Sequence, residues 1–364
     1  MTTDQPTPAD IEADTPAADT PELHPYPEPG SEPELAPETE PAPVPGRKRS
    51  RRRRWLRRIA IAAAALIVAG TVSSFGYNAA TSGRMAVPAG LTYVQTGDIS
   101  TRYRQWGTTG TPIVLVHGFL ESADTWQDTA PLLAAAGHRV YALDLDGFGY
   151  TQRVAPFDLD HQTTQLLDFI SALHLERPVL VGHSSGAAMV AAAALRTPSA
   201  IGAVMFLDGD ALSTGAGAAN PLENLIINPY RTTLLRLAIR SDTVIRTIYS
   251  SVCGSTCPRL DAAGIDQWRR PLQVPGAEEA LWAMAKLGVP GLPPEQVAGL
   301  AELSLPKAVV FGADDSTFSK DSPIQTAARI GAPAPTLIPG AEHLTPVNSP
   351  KAVAAAVLAL AART

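Results

Sequence analysis

The sequence predicts an α/β protein in which a mostly parallel sheet of eight strands is flanked by helices. Short apolar runs rich in β-branched residues alternate with longer stretches of helical periodicity, which is the pattern of such a sheet. Three of these runs, IVLV, PVLV and AVVF, are apolar throughout, as expected of strands that are buried on both faces. The predicted strands are 91–95, 99–106, 112–116, 139–143, 178–182, 202–207, 307–311 and 334–338.

Helical periodicity continues for about 95 residues after the sixth predicted strand, from 211 to 305, without a convincing strand. We therefore predict a helical cap over residues 211–305, inserted into a core formed by residues 85–210 and 306–364. Such a cap would cover the carboxyl ends of the strands, where open α/β sheets bind their ligands. The helices predicted in the core are 161–174, 186–196 and 347–362.

The first 58 residues differ in composition from the rest of the chain. Residues 1–46 contain eleven Asp or Glu and twelve Pro but no Lys or Arg. They have too few large apolar side chains to offset the entropy of ordering, which predicts a disordered tail. Residues 47–58 hold nine Lys or Arg. The whole chain has 29 basic and 35 acidic residues, so residues 59–364 contain 20 basic and 24 acidic residues and are close to neutral. The basic charge is confined to a short segment, and no nucleic-acid-binding domain is indicated.

Residues 59–77 carry no charge and are long enough to cross a bilayer core of about 30 Å. The basic juxtamembrane segment 47–58 comes just before them, so the positive-inside rule places the N-terminus in the cytoplasm. We expect a single-pass protein of the cell membrane with its larger part outside the cytoplasm. A cleaved signal is an alternative, since residues 52–57 (RRRWLR) resemble a twin-arginine export signal, and the protein would then be secreted. A buried core helix is a third interpretation.

The two cysteines, Cys253 and Cys257, lie four residues apart in the predicted cap. In an oxidising compartment this spacing permits a short-loop disulfide. Two thiols could also begin a metal site, but no second Cys or His pair lies nearby to complete four ligands. A disulfide is the favoured interpretation and a pair of unreactive thiols is the alternative. No cofactor or metal is predicted, because the sequence lacks the H-E-x-x-H, P-loop and dinucleotide-binding patterns.

The strongest functional motif is G-x-S-x-G, formed by Gly182, His183, Ser184, Ser185 and Gly186. It follows the predicted strand PVLV and precedes a helical run, which predicts a nucleophile elbow with small neighbours around a tight turn. Ser184 is the predicted nucleophile. Ser185 is expected to contribute its backbone N–H. The alternative is an ordinary serine in a glycine-rich turn.

A serine hydroxyl needs a neighbouring base and a group that orients the base. His343 follows the last predicted strand, and Asp314 and Asp315 follow the strand before it. Along the chain these residues come in the order Ser, Asp, His, which is the order found in folds whose nucleophile lies in such an elbow. Physical reasoning alone does not separate the two adjacent aspartates, and Asp208, after the sixth strand, is a reserve candidate for the acid.

Residues 91–362 resemble an α/β-hydrolase of the lipase, esterase and haloperoxidase-like group. Besides G-x-S-x-G, the resemblance rests on HGF at 117–119, D-x-x-G-x-G at 144–149, G-x-x-D at 312–315 and G-x-x-H at 340–343. It implies that Asp315 is the acid and Asp314 a turn residue. It also implies that the backbone N–H groups of Phe119 and Ser185 hold the oxyanion.

Several residues near these motifs have simpler interpretations. His117 is expected to pack beside its loop. Asp146 stands where many relatives carry a basic residue, which removes a possible salt bridge from that loop. His161 and His183 are expected in helices or loops, either solvated or satisfied by hydrogen bonds.

The resemblance implies a serine hydrolase that cleaves a small-molecule or lipid carboxylic ester through an acyl-enzyme on Ser184. Carbon–carbon bond hydrolysis and cofactor-free perhydrolysis on the same triad are alternatives, and a non-catalytic binding protein of the same fold is a third. Epoxide hydrolases and dehalogenases are disfavoured, because the resembling enzymes use Asp where Ser184 stands.

The predicted cap contains two further groups of candidate residues. Trp268 and Trp282 could line an apolar acyl pocket, although aromatic residues at helical spacing usually belong to a core. Four arginines could contact anionic lipid headgroups, with a solvated helix face as the ordinary alternative. These are Arg231, Arg236, Arg240 and Arg246.

Overall fold

The computed structural model describes residues 48–213 and 227–364. The segment 1–46, predicted to be disordered, lies outside the described residues, as does the stretch 214–226 of the predicted cap. The chain divides into two compact units, Met1–Ile61 and Ala62–Thr364. In the first unit the described part is the beginning of a long helix, α1 (Lys48–Ala80). The second unit contains the rest of α1 and all the other elements.

Eight strands form one sheet in the order β1-β2-β4-β3-β5-β6-β7-β8. They span Thr92–Thr96, Ile99–Trp106, Pro112–Val116, Arg139–Leu143, Val179–His183, Ala203–Leu207, Lys307–Gly312 and Thr336–Ile338. β2 pairs antiparallel with β1 and with β4, and the remaining neighbours are parallel. Each predicted strand is present within two residues of its expected bounds. The predicted mostly parallel sheet flanked by helices is confirmed.

Helices cover both faces of the sheet. α2 to α12 span Ala130–Ala135, Leu159–Ala172, Gly186–Arg196, Tyr230–Arg240, Asp242–Cys253, Ala262–Arg269, Ala277–Leu287, Pro294–Ala298, Ser322–Ile330, Thr345–Asn348 and Pro350–Ala361. One apolar core lies between the sheet and α3 and α4, and another lies between the sheet and α2 and α12. The predicted helix 347–362 is divided between α11 and α12, because Pro350 lacks an N–H and favours the first turn of a new helix.

The segment between β6 and β7 carries the helices α5 to α9. In the described part of this segment no strand occurs, and a single β-bridge joins Leu212 to Leu292. α6 begins where the Ser241 side chain accepts a hydrogen bond from the Val244 N–H, which is the usual role of a serine at a helix N-cap.

The apolar segment predicted at 59–77 lies within α1. The stretch Arg51–Ala80 is long and apolar enough to cross a bilayer, a property that a signal sequence near the N-terminus shares. Only 6% of its most apolar window is buried, and Leu66, Val72 and Phe75 are among its exposed side chains. The interpretation as a buried core helix is therefore wrong. A membrane anchor and a signal sequence both fit this helix.

Candidate active site

Ser184 lies in a two-residue turn between the end of β5 at His183 and the start of α4 at Gly186. Its φ of 51° is left-handed, a conformation that residues other than glycine seldom adopt and that is found more often at functional sites. A Cβ at Gly186 would lie 2.6 Å from the Val116 carbonyl oxygen, so only glycine lets the turn pack this closely on β3. This is the strand–turn–helix geometry that the G-x-S-x-G motif predicts.

The side chains of Ser184, His343 and Asp315 form a continuous hydrogen-bonded chain. Ser184 Oγ lies 3.0 Å from His343 Nε2, and His343 Nδ1 donates to Asp315 Oδ2 over 2.9 Å. Because Nδ1 is the donor to a carboxylate, Nε2 of a neutral ring is free to accept the serine proton. The parallel strands β5 and β7 end at the same edge of the sheet and β8 precedes His343, which is why three residues distant in sequence meet.

Asp315 is fixed in this arrangement by its own turn. Its Oδ1 accepts a hydrogen bond from the Thr317 N–H over 2.8 Å. Burial alone would raise the pKa of Asp315, but His343 and the Thr317 donors outweigh burial and hold the pKa below its usual value. The carboxylate is therefore ionised at neutral pH and acts as an acceptor.

The two other candidate acids make their hydrogen bonds elsewhere. Asp314 is exposed, and its backbone N–H donates to the Ala341 carbonyl. Asp208 is fully buried and accepts hydrogen bonds from the Gly312 N–H, over 2.7 Å, and from the Thr345 hydroxyl. Burial raises the pKa of Asp208 to about 7. Its contacts make Asp208 a cross-link between the end of β7 and the start of α11.

The loop after β3, residues 117–121, is called the oxyanion loop below. A Cβ at Gly118 would lie 2.8 Å from the Cβ of Ser184, so glycine allows this loop to approach the serine. Within the described residues, neither the Phe119 N–H nor the Ser185 N–H makes a hydrogen bond. Both groups are thus available to an oxygen anion formed at Ser184, and their role as the oxyanion hole stays a prediction.

A buried ionisable cluster beside the serine was not predicted. His183 is the last residue of β5 rather than a helix or loop residue, and it has no exposed surface. Its Nδ1 lies 2.9 Å from Glu121 Oε1, and its Nε2 lies 3.7 Å from Asp208 Oδ2. Nε2 also hydrogen-bonds with the His343 carbonyl over 2.9 Å. His183 therefore joins the oxyanion loop to the residue that follows β8 and faces the serine.

This cluster predicts that stability falls at alkaline pH. Burial would lower the pKa of His183, but Glu121, Asp208 and the His343 carbonyl outweigh it and raise the pKa to about 9. An unfolded histidine loses its proton near pH 6.5, so above that pH the folded state binds more protons than the unfolded state. The free energy of unfolding should then be greatest below that pH and decrease as the pH rises through about 9.

Thermal unfolding of the wild type and of Glu121→Gln, followed in pH steps from neutral upwards, measures this effect. Glu121→Gln should be less stable at neutral pH and should show a flatter decline, because it lacks the charge that holds the His183 proton. The exposed Glu302→Gln is the matched control and should keep the wild-type profile. An unchanged slope in Glu121→Gln would assign the decline to other groups.

Two loop residues complete the surroundings. The Asp146 carboxylate lies 3.1 Å from His161 Nδ1, because α3 brings this imidazole against the loop after β4. This contact between the loop after β4 and α3 was not predicted from the sequence. His117 packs beside its loop as expected: it is fully buried, and its Nε2 accepts the Leu145 N–H over 3.0 Å.

A cavity of about 280 Å³ lies in front of Ser184 and His343. The residues that the cap contributes to its lining are Ile245, Ile248, Tyr249, Val252, Trp268 and Leu272. Of the two tryptophans predicted to line an acyl pocket, Trp268 does so, whereas the ring of Trp282 lies under the Arg231 guanidinium. An apolar cavity with a few polar groups at one end suits a ligand that is mainly hydrocarbon.

Cys253 and Cys257 are joined by a disulfide at the end of α6. The Cys253 carbonyl accepts a hydrogen bond from the Asn348 side chain over 3.1 Å. One residue earlier, the Val252 carbonyl accepts the Leu344 N–H over 3.0 Å. The disulfide thus closes a loop at the point where the cap helix that lines the cavity contacts the residue after His343.

Comparison with known proteins identifies relatives of the chain. Residues 113–356, more than half of the chain, match the Alpha/beta hydrolase family. Epoxide hydrolase A of Mycobacterium tuberculosis is 36% identical over 123 residues, which are 33% of this chain and 38% of that relative. The chain therefore matches little more than a third of this relative's length.

Two solved structures share the fold. A serine hydrolase involved in carbazole degradation superposes with a TM-score of 0.62 at 21% identity, covering 75% of this chain and 99% of the other. A membrane phospholipase A superposes with a TM-score of 0.60 at 20% identity, covering 86% and 100%. With this sheet order and the family match over residues 113–356, the chain belongs to the alpha/beta hydrolase family and has the fold of that family.

Proposed function

We propose that the protein is a membrane-anchored serine hydrolase that cleaves a carboxylic ester through an acyl-enzyme on Ser184. The observation that carries this proposal is the hydrogen-bonded chain from Ser184 Oγ through His343 to Asp315. In such a chain the imidazole removes the hydroxyl proton, and the carboxylate fixes the tautomer and stabilises the imidazolium. The contacts of Asp314 and Asp208 point away from this role.

The proposed reaction has two steps. Ser184 Oγ attacks the ester carbonyl while His343 Nε2 takes its proton, and the oxyanion accepts hydrogen bonds from the N–H groups of Phe119 and Ser185. His343 then gives the proton to the leaving alkoxide, and an ester between the acyl group and Ser184 remains. Water, deprotonated by His343, attacks this ester and releases the acid, which restores the serine hydroxyl.

The nucleophile favours esters over epoxides as substrates. The relative from Mycobacterium tuberculosis is named an epoxide hydrolase, but the family resemblance implies an Asp in place of Ser184 in enzymes that open epoxides. The serine hydroxyl beside His343 Nε2 is instead suited to acyl transfer.

The cavity favours an apolar acyl group. Its volume of about 280 Å³ and its cap side chains from Ile245 to Trp268 offer hydrocarbon contacts next to the serine. A solved structure of the same fold is named a membrane phospholipase A, so phospholipids belong among the first lipid esters to test.

A screen of p-nitrophenyl esters of increasing acyl length tests the proposal on the full chain in detergent. We expect kcat/KM to rise with each added methylene until the cavity is filled, because burial of one CH₂ contributes about 0.8 kcal/mol. Ser184→Ala is the control for hydrolysis that does not depend on the site. Wild-type rates equal to those of this variant for every ester would reject the proposed function.

Contacts between α1 and the cap favour an uncleaved anchor over a cleaved signal. Asn78, one residue beyond the apolar span, donates to the Pro229 carbonyl over 2.9 Å and accepts from the Thr233 hydroxyl over 3.0 Å. Its carbonyl accepts a hydrogen bond from Arg236 over 2.6 Å. Cleavage near the end of the span would remove these partners and leave half-buried polar groups of the cap without them.

We predict that residues 85–364, called the hydrolase unit below, lie on the outer face of the cytoplasmic membrane. Nine basic residues precede the span, whereas Arg84 alone follows it closely. Protease added to intact spheroplasts of an expressing bacterium should digest this unit. A cytoplasmic marker protein that stays intact is the control. Protection of the unit until the cells are lysed would reverse the topology.

A further inference from the structure

α5 begins beside the end of the apolar span of α1, and its first side chain reaches back into the span. The Pro229 carbonyl, just before α5, accepts a hydrogen bond from Asn78, one residue beyond the span. The Tyr230 hydroxyl at the first turn of α5 hydrogen-bonds with the Thr71 hydroxyl. Arg240, at the last turn, donates to the Thr81 carbonyl over 3.4 Å. α5 therefore runs alongside the end of α1 in the same direction. Thr71 lies six residues before Tyr77, where the predicted span ends, a distance of about 9 Å along a helix.

The outward face of α5 next to α1 is apolar. With 3.6 residues per turn, Leu234 and Leu237 lie about 60° apart around the helix, and Tyr230 lies between them. These two leucines are 52% and 49% exposed. The residues of α5 that contact α1, Thr233 and Arg236, lie on the adjoining side. The exposed leucines are thus beside α1 and face away from the cap.

We propose that the first two turns of α5, from Tyr230 to Leu237, lie in the headgroup region of the outer leaflet beside α1, with the Tyr230 ring and the two leucines directed into the bilayer. The partner of this surface is the lipid bilayer, and the inference rests on the membrane anchor of the proposed function. The Tyr230 hydroxyl, which reaches Thr71, lies about 9 Å inside the end of the span, in agreement with the 5–10 Å to which interfacial helices bury their apolar faces. Tyrosine suits this level because its ring is apolar and its hydroxyl is polar.

The charges near α5 fit the same placement. Arg240, at the end of α5 away from the leaflet, is exposed at the level of Thr81, where lipid headgroups would lie and attract a cation. Arg236 binds Glu278 over 2.9 Å. Arg231, near the inserted end, stacks its guanidinium on the Trp282 ring at 4.5 Å, which directs this charge to the cap.

The inserted turns lead directly to the wall of the cavity. α6 follows α5 after Ser241 and supplies Ile248, which lines the cavity and is 53% exposed. Docking of α5 would hold this wall close to the leaflet, so an ester lipid of the membrane is the substrate class that the arrangement favours.

Fluorescence quenching on the full chain in phospholipid vesicles tests the docking. Leu234→Cys is labelled with an environment-sensitive fluorophore, since both native cysteines are held in a disulfide. Leu66→Cys, at a 75% exposed position of the span, is the reference for the bilayer, and Ile324→Cys, at a 61% exposed position of α10, is the reference for water. We expect acyl-chain nitroxides to quench positions 66 and 234, and aqueous iodide to quench position 324.

The outcomes separate this inference from the proposed function. Iodide quenching at position 234 equal to that at position 324, with position 66 in lipid, would overturn the docking and leave the anchor intact. Quenching of position 66 by aqueous iodide would overturn both the docking and the membrane anchor. Vesicles that show lipid quenching at position 234 but no ester hydrolysis would reject the proposed activity alone.

A functional measurement completes the test. Leu234→Asp combined with Leu237→Asp should lower the hydrolysis of a vesicle-embedded lipid ester about tenfold, because two buried leucines are lost from the bilayer contact. Hydrolysis of a soluble short-chain ester should not change, since neither leucine lines the cavity. An equal loss on both substrates would assign the effect to misfolding of the cap and count against the docking.

Discussion

Ser184→Ala should lower kcat/KM for an ester by about 10⁴- to 10⁶-fold and should abolish labelling by an active-site phosphonate. The variant lacks the hydroxyl that His343 Nε2 is placed to deprotonate, at 3.0 Å. The backbone N–H groups that would hold the oxyanion are retained, so a small residual rate above that of water is expected. Labelling and kinetics on the same preparations measure both effects.

The neighbouring serine provides the control for this prediction. Ser185→Ala changes the adjacent hydroxyl but keeps the backbone N–H that is proposed for the oxyanion hole. It should be labelled like the wild type and should keep most of its activity. Labelling that persists in Ser184→Ala would place the nucleophile elsewhere and contradict the proposed mechanism.

Asp315→Asn should lower turnover by about 10⁴-fold without loss of the fold. An amide at this position can donate to His343 Nδ1, which would favour the tautomer whose Nε2 carries the proton and cannot accept the serine proton. Comparison of kcat/KM with the midpoint of thermal unfolding separates this loss of catalysis from a loss of stability.

Two aspartates serve as matched controls for the acid. Asp314→Asn should cost little, because Asp314 is exposed and its turn depends on a backbone hydrogen bond. Asp208→Asn should lower the unfolding midpoint, because a fully buried carboxylate that binds Gly312 and Thr345 is altered. If Asp208→Asn lost its turnover while Asp315→Asn kept it, the acid would belong after β6.

The sheet could be predicted from the sequence because its central strands are buried on both faces. β3, β5 and β6 have every residue buried, and such strands appear as continuous apolar runs with little ambiguity. The candidate triad could be located because each member directly follows a strand, and parallel strands end at one edge. The choice of Asp315 over Asp314 came from the family resemblance, and the contact with His343 agrees with it.

The contacts that the sequence did not predict depend on which elements become neighbours. Glu121 follows β3 and His183 ends β5, and these strands are adjacent because the chain returns from β4 across β3 to form β5. No local pattern records that order. The pairing of Asp146 with His161 likewise needs the docking of α3. The alignment of α5 with α1 joins helices more than a hundred residues apart, and periodicity does not specify which helix faces meet.

The end of α1 and the cap form one hydrogen-bonded piece. Asn78 binds Arg236, and a few residues later the Met85 N–H donates to the Gln273 carbonyl over 3.0 Å. A span that is longer or shorter than the surrounding hydrocarbon adjusts by changing its tilt. Where α1 spans a bilayer, a change in tilt would turn the cap with it rather than be absorbed by a flexible connection. Bilayer thickness would thus influence how the substrate cavity is oriented relative to the membrane.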